Sequence, residues 1–205
     1  IAYAARKAKE LNLDKNLEFM QADILDLGKL NRQFDIVESI GVLHHMQNPM
    51  AGWKVLTSLL RPGGAMRIGL YSKIARKDII AAREEIAKRG LKDSIEDIRR
   101  FRAECLACKE HDFLTTTDFY TTSSVRDLLF HRSEQQFTIP QLQSSLQELG
   151  LEFLGFAQNG ILHDYFNAMF PNEISYSNLS LWAELETTKP SLFVGMYQFW
   201  CYKPK

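Results

Sequence analysis

The chain has 205 residues, and its 25 Lys and Arg balance 25 Asp and Glu, so it lacks the cationic surplus that binding to a phosphate backbone requires. Hydrophobic residues make up 45% and charged residues 24%, a globular composition that excludes disorder and collagen-like repeats. No apolar run approaches the roughly 18 residues of a spanning helix, and the length suits one domain.

Residues 1–12 read as a helix. Ala2, Ala4, Ala5 and Ala8 supply propensity, and Ile1, Ala5, Ala8 and Leu11 form one apolar stripe. Ile1 falls inside that helix, so the chain is expected to begin partway through a larger domain. After a polar turn, Leu17 to Ala22 alternate as a short strand ending at Asp23. Phe34 to Ile40 is nearly continuously apolar, as in a strand covered on both faces of a parallel sheet. Asn48 is a good N-cap with Pro49 at the first helical position, and the helix runs to Leu60. Arg61-Pro62-Gly63-Gly64 is expected to stop it sharply before a strand from Ala65 to Tyr71.

Residues 74–110 read as two charged helices separated near Gly90-Leu91, and 111–124 as a Ser- and Thr-rich loop. Val125 to His131 is a short apolar segment. Thr138, Ile139 and Pro140 open a helix that Gly150 ends. Leu151 to Phe156 reads as a strand, His163 to Phe170 and Asn178 to Thr187 as helices, and Leu192 to Tyr202 as a long strand. The last two strands are expected to form an antiparallel pair at one sheet edge. The alternation implies an α/β fold. The whole chain, 1–205, reads as one domain, with 74–124 as a helical insertion and substrate lid. Residues 111–190 carry 3 basic against 10 acidic residues, which reads as a solvated face that locally repels nucleic acid and anionic membranes.

Cys105, Cys108 and Cys201 are too few and too odd for a disulfide scaffold, which points to a reducing, cytoplasmic setting. Cys105 and Cys108 form a C-x-x-C near His111, but on a helical segment without a second such pair, so buried thiols are expected rather than a metal or redox site. His131 and His163 read as structural. No two glycines stand two apart, and neither a P-loop nor a G-x-S-x-G elbow occurs. Three features could carry chemistry. Asp23 closes a strand, where a carboxylate can accept hydrogen bonds from an amine or a ribose, or simply cap a turn. Gly41 ends the next strand and allows close backbone approach. His44 and His45 follow it, and at most one of the two is expected to point into a cleft.

Leu17 to Asp23, Phe34-Asp35-Ile36-Val37-Glu38, Gly41-Val42-Leu43-His44-His45-Met46 and Leu59-Leu60-Arg61-Pro62-Gly63-Gly64 together resemble the class I S-adenosylmethionine-dependent methyltransferases. Their order and spacing are similar to the third, fourth and fifth strands of that family. His111 to Leu114, Asp118 to Tyr120 and Gly195 to Trp200 look like bacterial methyltransferase domains found behind tetratricopeptide repeats, which implies such a repeat region in the parent chain. The resemblance implies an incomplete Rossmann-like methyltransferase sheet, with strands one and two and the glycine-rich loop lying before Ile1. It implies S-adenosyl-L-methionine as cofactor, with Asp23 on the adenine amine, Ile24 on the ring, and Ser39, Ile40 and Gly41 along the methionine portion. His45 or Tyr71 is then the candidate base, with His44 behind them. Leu43, Asp118, Tyr120 and Arg126 are candidate contacts to an acceptor that the sequence does not identify, small molecule or protein. Two other readings stand beside this one: a noncatalytic binding or scaffolding domain that kept the fold without the cofactor, and a nucleotide-sugar or nicotinamide enzyme, which would not explain the L-R-P-G-G turn.

Overall fold

A computed structural model of the chain describes residues 1–108, 111–115, 119–130, 134–157 and 160–205. Helix α1 (Ala2–Glu10) forms where the alanines predict it, but it buries only Ala8; Ile1 and Leu11 stay exposed. The expected strand over 17–22 does not form. That stretch pairs with no strand among the described residues, and Leu17, Phe19 and Met20 remain exposed. An alternating pattern creates only a strand's faces. The ladder needs a partner to take its N–H and C=O groups, and none lies beside it.

Strand β1 (Phe34–Ile40) pairs in parallel with β2 (Leu60–Ser72). Between them lies α2 (Pro49–Ser58), whose Asn48 side chain accepts from the Ala51 N–H at 3.1 Å and whose first turn holds Pro49. The Arg61–Gly64 turn is not a clean stop ahead of the strand. It bulges within β2: Phe34 pairs with Leu60, while Ile36 already pairs with Ala65. Gly63 adopts φ +80°, and a Cβ on Gly64 would sit 2.9 Å from the Asp35 carbonyl oxygen. Glycines there let the two backbones close on each other around the bulge.

Strand β5 (Tyr197–Tyr202) runs antiparallel to β2, and β4 (Glu152–Phe156) pairs antiparallel with β5 at the sheet edge. The order is β1-β2-β5-β4, and the two-residue β3 (Gln136–Phe137) pairs in parallel with the C-terminal end of β2. The result is a mixed five-stranded α/β sheet. The final strands are antiparallel as expected, but β5 is internal. Residues 192–196, expected as its beginning, instead hold part of a 3-10 turn over Pro190–Phe193.

Two cores result. Trp53, Ile68, Leu70, Phe156, Trp182 and Phe199 belong to the larger one, which packs α2, α6 (Ile139–Leu149), α7 (Ile161–Met169) and α8 (Leu179–Thr188) onto the sheet. Helices α3 (Lys77–Lys88), α4 (Ile95–Cys108) and α5 (Thr122–Phe130) close a separate core around Ile98, Phe101, Phe113 and Val125. The expected 111–124 loop thus holds a 3-10 turn and, from Thr122, the start of a helix.

Candidate functional site

β1 and β2 run in the same direction, so their C-terminal ends share one rim of the sheet, where open α/β sheets bind ligands. β1 leaves the rim through Gly41, at φ +76°. A 3-10 turn over Leu43–His45 follows. Its apolar member, Leu43, is fully buried and anchors the turn to the main core, which fixes the two histidines after it. His44 is also fully buried, its ring 4.2 Å from that of His45 and 4.3 Å from that of Tyr71. Burial pushes the His44 pKa down to about 4, helped by His45, so its ring is neutral at pH 7. The Gly69 backbone lies close enough to oppose that shift, but neither ring nitrogen reaches hydrogen-bond geometry.

Tyr71 stands at the end of β2. The chain then turns under a side-chain clamp: the Ser72 hydroxyl accepts from the Ala75 N–H at 2.8 Å. That turn delivers Arg76 onto the Tyr71 ring, its guanidinium carbon 3.6 Å from the ring centroid. Arg76 is 2% exposed. Its Nε approaches Glu134 Oε1 at 3.4 Å, Arg83 Nη2 donates to Glu134 Oε2 at 2.9 Å, and Gln136 Nε2 donates to Oε1 at 3.0 Å. Burial alone would raise the Glu134 pKa. The Arg83 hydrogen bond and the two guanidinium charges outweigh it and hold the carboxyl below its ordinary value. Burial lowers the Arg76 pKa against the pull of Glu134.

These groups, with Ser124, Asp127 and Leu128 of α5, line a cavity of about 320 Å³. It can hold a small polar molecule against one aromatic phenol, one imidazole, one guanidinium and two carboxylates. Of the residues singled out from sequence, His45 and Tyr71 line it, and His44 backs it without lining it. Leu43 lies in the core. Tyr120 is two-thirds exposed, and its carbonyl accepts from Arg102 at 2.8 Å. Arg126 is exposed and donates to the Asp93 carbonyl at 3.2 Å. Asp118 and His131 lie outside the described residues.

The other group does not line this cavity. Asp23 is exposed, and its carboxylate accepts from the Leu25 N–H at 2.9 Å, capping a 3-10 turn over Ile24–Leu30. Ile24 packs half-buried against the main core. Ser39 is buried with its hydroxyl unpartnered, Ile40 is 37% exposed, and a Cβ on Gly41 would meet nothing within 4 Å. Cys105 is buried, which pushes its thiol up to about 11. Cys108 is exposed and donates to the Cys105 carbonyl. No group of three or more metal-ligating side chains occurs among the described residues.

Sequence reading missed Arg76, Glu134, Ser124, Asp127 and Leu128. One signal was present: Arg76 and Arg83 stand seven residues apart, two helical turns, on one face. Nothing local ties Glu134 to them.

A methyltransferase-domain family model matches residues 1–138. This chain belongs to the methyltransferase-domain family. It is the class I kind that the Leu17–Gly64 motifs resemble. An uncharacterized protein of Synechococcus sp., syc1184_c, is 26% identical over 167 residues, covering 77% of this chain and 40% of that protein. PKMT2 from Rickettsia typhi superposes with a TM-score of 0.67 at 15% identity, over 95% of this chain and 42% of that one. The same protein in complex with AdoHcy gives 0.65 at 13% identity, over 99% and 42%. The methyltransferase domain here thus spans about two-fifths of the length of each of these relatives, and the structural likeness is one of fold.

Proposed function

We propose that this domain takes part in S-adenosylmethionine-dependent methyl transfer to an acceptor seated in the His45–Tyr71 cavity. The observation that carries the reading is the cavity's position at the C-terminal rim of the parallel β1–β2 pair in a chain of the methyltransferase family. PKMT2, which shares the fold, has been solved with AdoHcy. The residues at the end of β1 fit such a cofactor: the buried Ser39 hydroxyl has no partner, and Gly41 leaves open space where a side chain would stand. Ser39, Ile40 and Gly41 would hold its amino-acid end, and Asp23 and Ile24 its adenine. When bound, the cofactor supplies an electrophilic methyl group on a sulfonium.

The chain's own residues then act by placement. Tyr71 is held from behind by His44 and from the side by Arg76, so its ring orients the acceptor with little freedom left to lose. Leu128 and Ser124 of α5 close one wall against water, which gives the helical segment the part of a lid. His45 or Tyr71 accepts a proton where the acceptor must lose one, and the neutral His44 keeps a second positive charge away from them.

Titration calorimetry of the full-length protein with S-adenosylmethionine and with S-adenosylhomocysteine tests this. Saturable heat with both is expected, weakened in Gly41→Val. No heat with either ligand would overturn it. A noncatalytic scaffolding domain is the second reading. It is favoured by the Asp23 carboxylate being engaged on Leu25 and by the lack of a G-x-G loop in these residues. That reading expects silence in the same titration.

A further inference from the structure

Among the described residues, the charges beneath the rim cavity do not balance. Arg76 and Arg83 both lean on one carboxylate, Glu134, and the side chains of Arg76 and Glu134 are each 2% exposed. Among these residues, two guanidinium groups against one carboxylate leave a surplus positive charge, with Arg76 the more deeply buried of the two. Among the described residues no second carboxylate pairs with Arg76. Its Nε is buried and reaches no hydrogen-bond acceptor, because the 3.4 Å approach to Glu134 Oε1 misses the required geometry. A buried guanidinium with an idle donor and an uncompensated charge is costly unless something completes it. Arg76 also lines the cavity, beside Tyr71 and His45. A planar fork of donors on the wall of a cavity is the arrangement that receives a carboxylate. Asp127 lies on the same lining and is exposed, so it repels an anion from the outer side without neutralising the buried surplus.

We propose that the methyl acceptor carries a carboxylate, and that Arg76 receives it inside the cavity lined by His45, Tyr71 and Glu134. The proposal rests on the methyl-transfer reading for the word acceptor. The anion site itself stands on Arg76, Arg83 and Glu134. Arg76 then decides which acceptors enter: the carboxylate docks on the guanidinium, the Tyr71 ring lies under it, and the rest of the molecule extends toward His45. An acceptor whose acid is esterified or amidated loses the anchor and leaves the Nε donor idle.

The test follows the side-chain N–H signals of the arginines in isotope-labelled full-length protein as acetate is titrated at constant ionic strength, with chloride as reference and inorganic phosphate as a parallel arm. The Arg76 signal is identified by its loss in Arg76→Lys. Asp127→Asn, a change on an exposed side chain, is the second variant. A saturable shift of the Arg76 signal with acetate, tightened several-fold in Asp127→Asn, is the expected result. An Arg76 signal that moves no more with acetate than with chloride overturns the proposal. So does an acetate affinity indifferent to Asp127, because the anion then binds elsewhere. Saturation by phosphate with no response to acetate overturns the carboxylate assignment in favour of a phosphoryl group. Cofactor calorimetry on the same sample separates the two claims: cofactor heat without an Arg76 response sinks only the anion site, and an Arg76 response without cofactor heat sinks only methyl transfer.

Discussion

Glu186 of α8 is fully buried, and so are its two partners, Ser72 at the end of β2 and Tyr197 at the start of β5. Both hydroxyls donate to the same carboxyl oxygen, Oε1, at 2.5 Å, while Oε2 has no partner. Burial raises the Glu186 pKa, and the two hydroxyl bonds only partly offset it. Once protonated, the carboxyl carries one unpartnered donor on Oε2; in Glu186→Gln the amide oxygen still accepts from both hydroxyls, but an amide NH2 sets two such donors there, one more than before. A buried donor without a partner costs about 1–3 kcal/mol, so the variant is the less stable protein in mild acid.

The pH dependence has the opposite sense. A carboxyl whose folded pKa lies above its unfolded one contributes fully below the ordinary Glu range, and that contribution is lost as pH rises toward the raised folded value. Glutamine does not titrate. The gap between wild type and variant therefore narrows with rising pH, by at most about 1.4 kcal/mol per pH unit within that window. His44, with its pKa near 4, weakens both proteins as pH falls below the ordinary histidine range. It cancels in the difference. Urea unfolding of both proteins at a series of pH values between 4 and 9, with equal slopes, measures the gap directly. A gap that stays constant or widens with pH would mean that Glu186 is ionised in the fold, and the reasoning fails.

Two further changes probe the frame around the site. Thr138→Ala removes a capping box in which the Thr138 hydroxyl accepts from the Gln141 N–H and the Gln141 side chain accepts from the Thr138 N–H; denaturant unfolding should show a loss of about 1 kcal/mol. Gly69→Ala puts a Cβ 2.9 Å from Ile40 Cγ2 and 3.1 Å from Ile40 Cα across the β1–β2 ladder. Because backbone as well as side chain must give way, the melting temperature should fall by an amount equivalent to about 1–3 kcal/mol, and an unchanged value would show that the two strands separate easily.

Where the signals are local, the sequence alone determined the structure. Asn48-Pro49 opens α2 and Asn178 caps α8. Thr138 with Gln141 opens α6, and Gly150, at φ +65°, closes it. Each acts within one helical turn, so neighbours in the chain suffice to specify it. His45 and Tyr71 were legible through the motifs that resemble the class I methyltransferases, His45 in the run that leaves β1 and Tyr71 near the end of β2. Tertiary structure decided the rest. Leu17 to Ala22 carry a strand's pattern but form no ladder, because a strand exists only beside a partner. Arg61–Gly64 stop a helix in any local reading, and only pairing with Phe34 and Ile36 makes them a bulge. The Arg76–Glu134 pair joins residues 58 apart in sequence, and Glu186 reaches Ser72 across 114. No periodicity links such positions, because their charges and hydroxyls meet only after the sheet and helices have packed and shut out water.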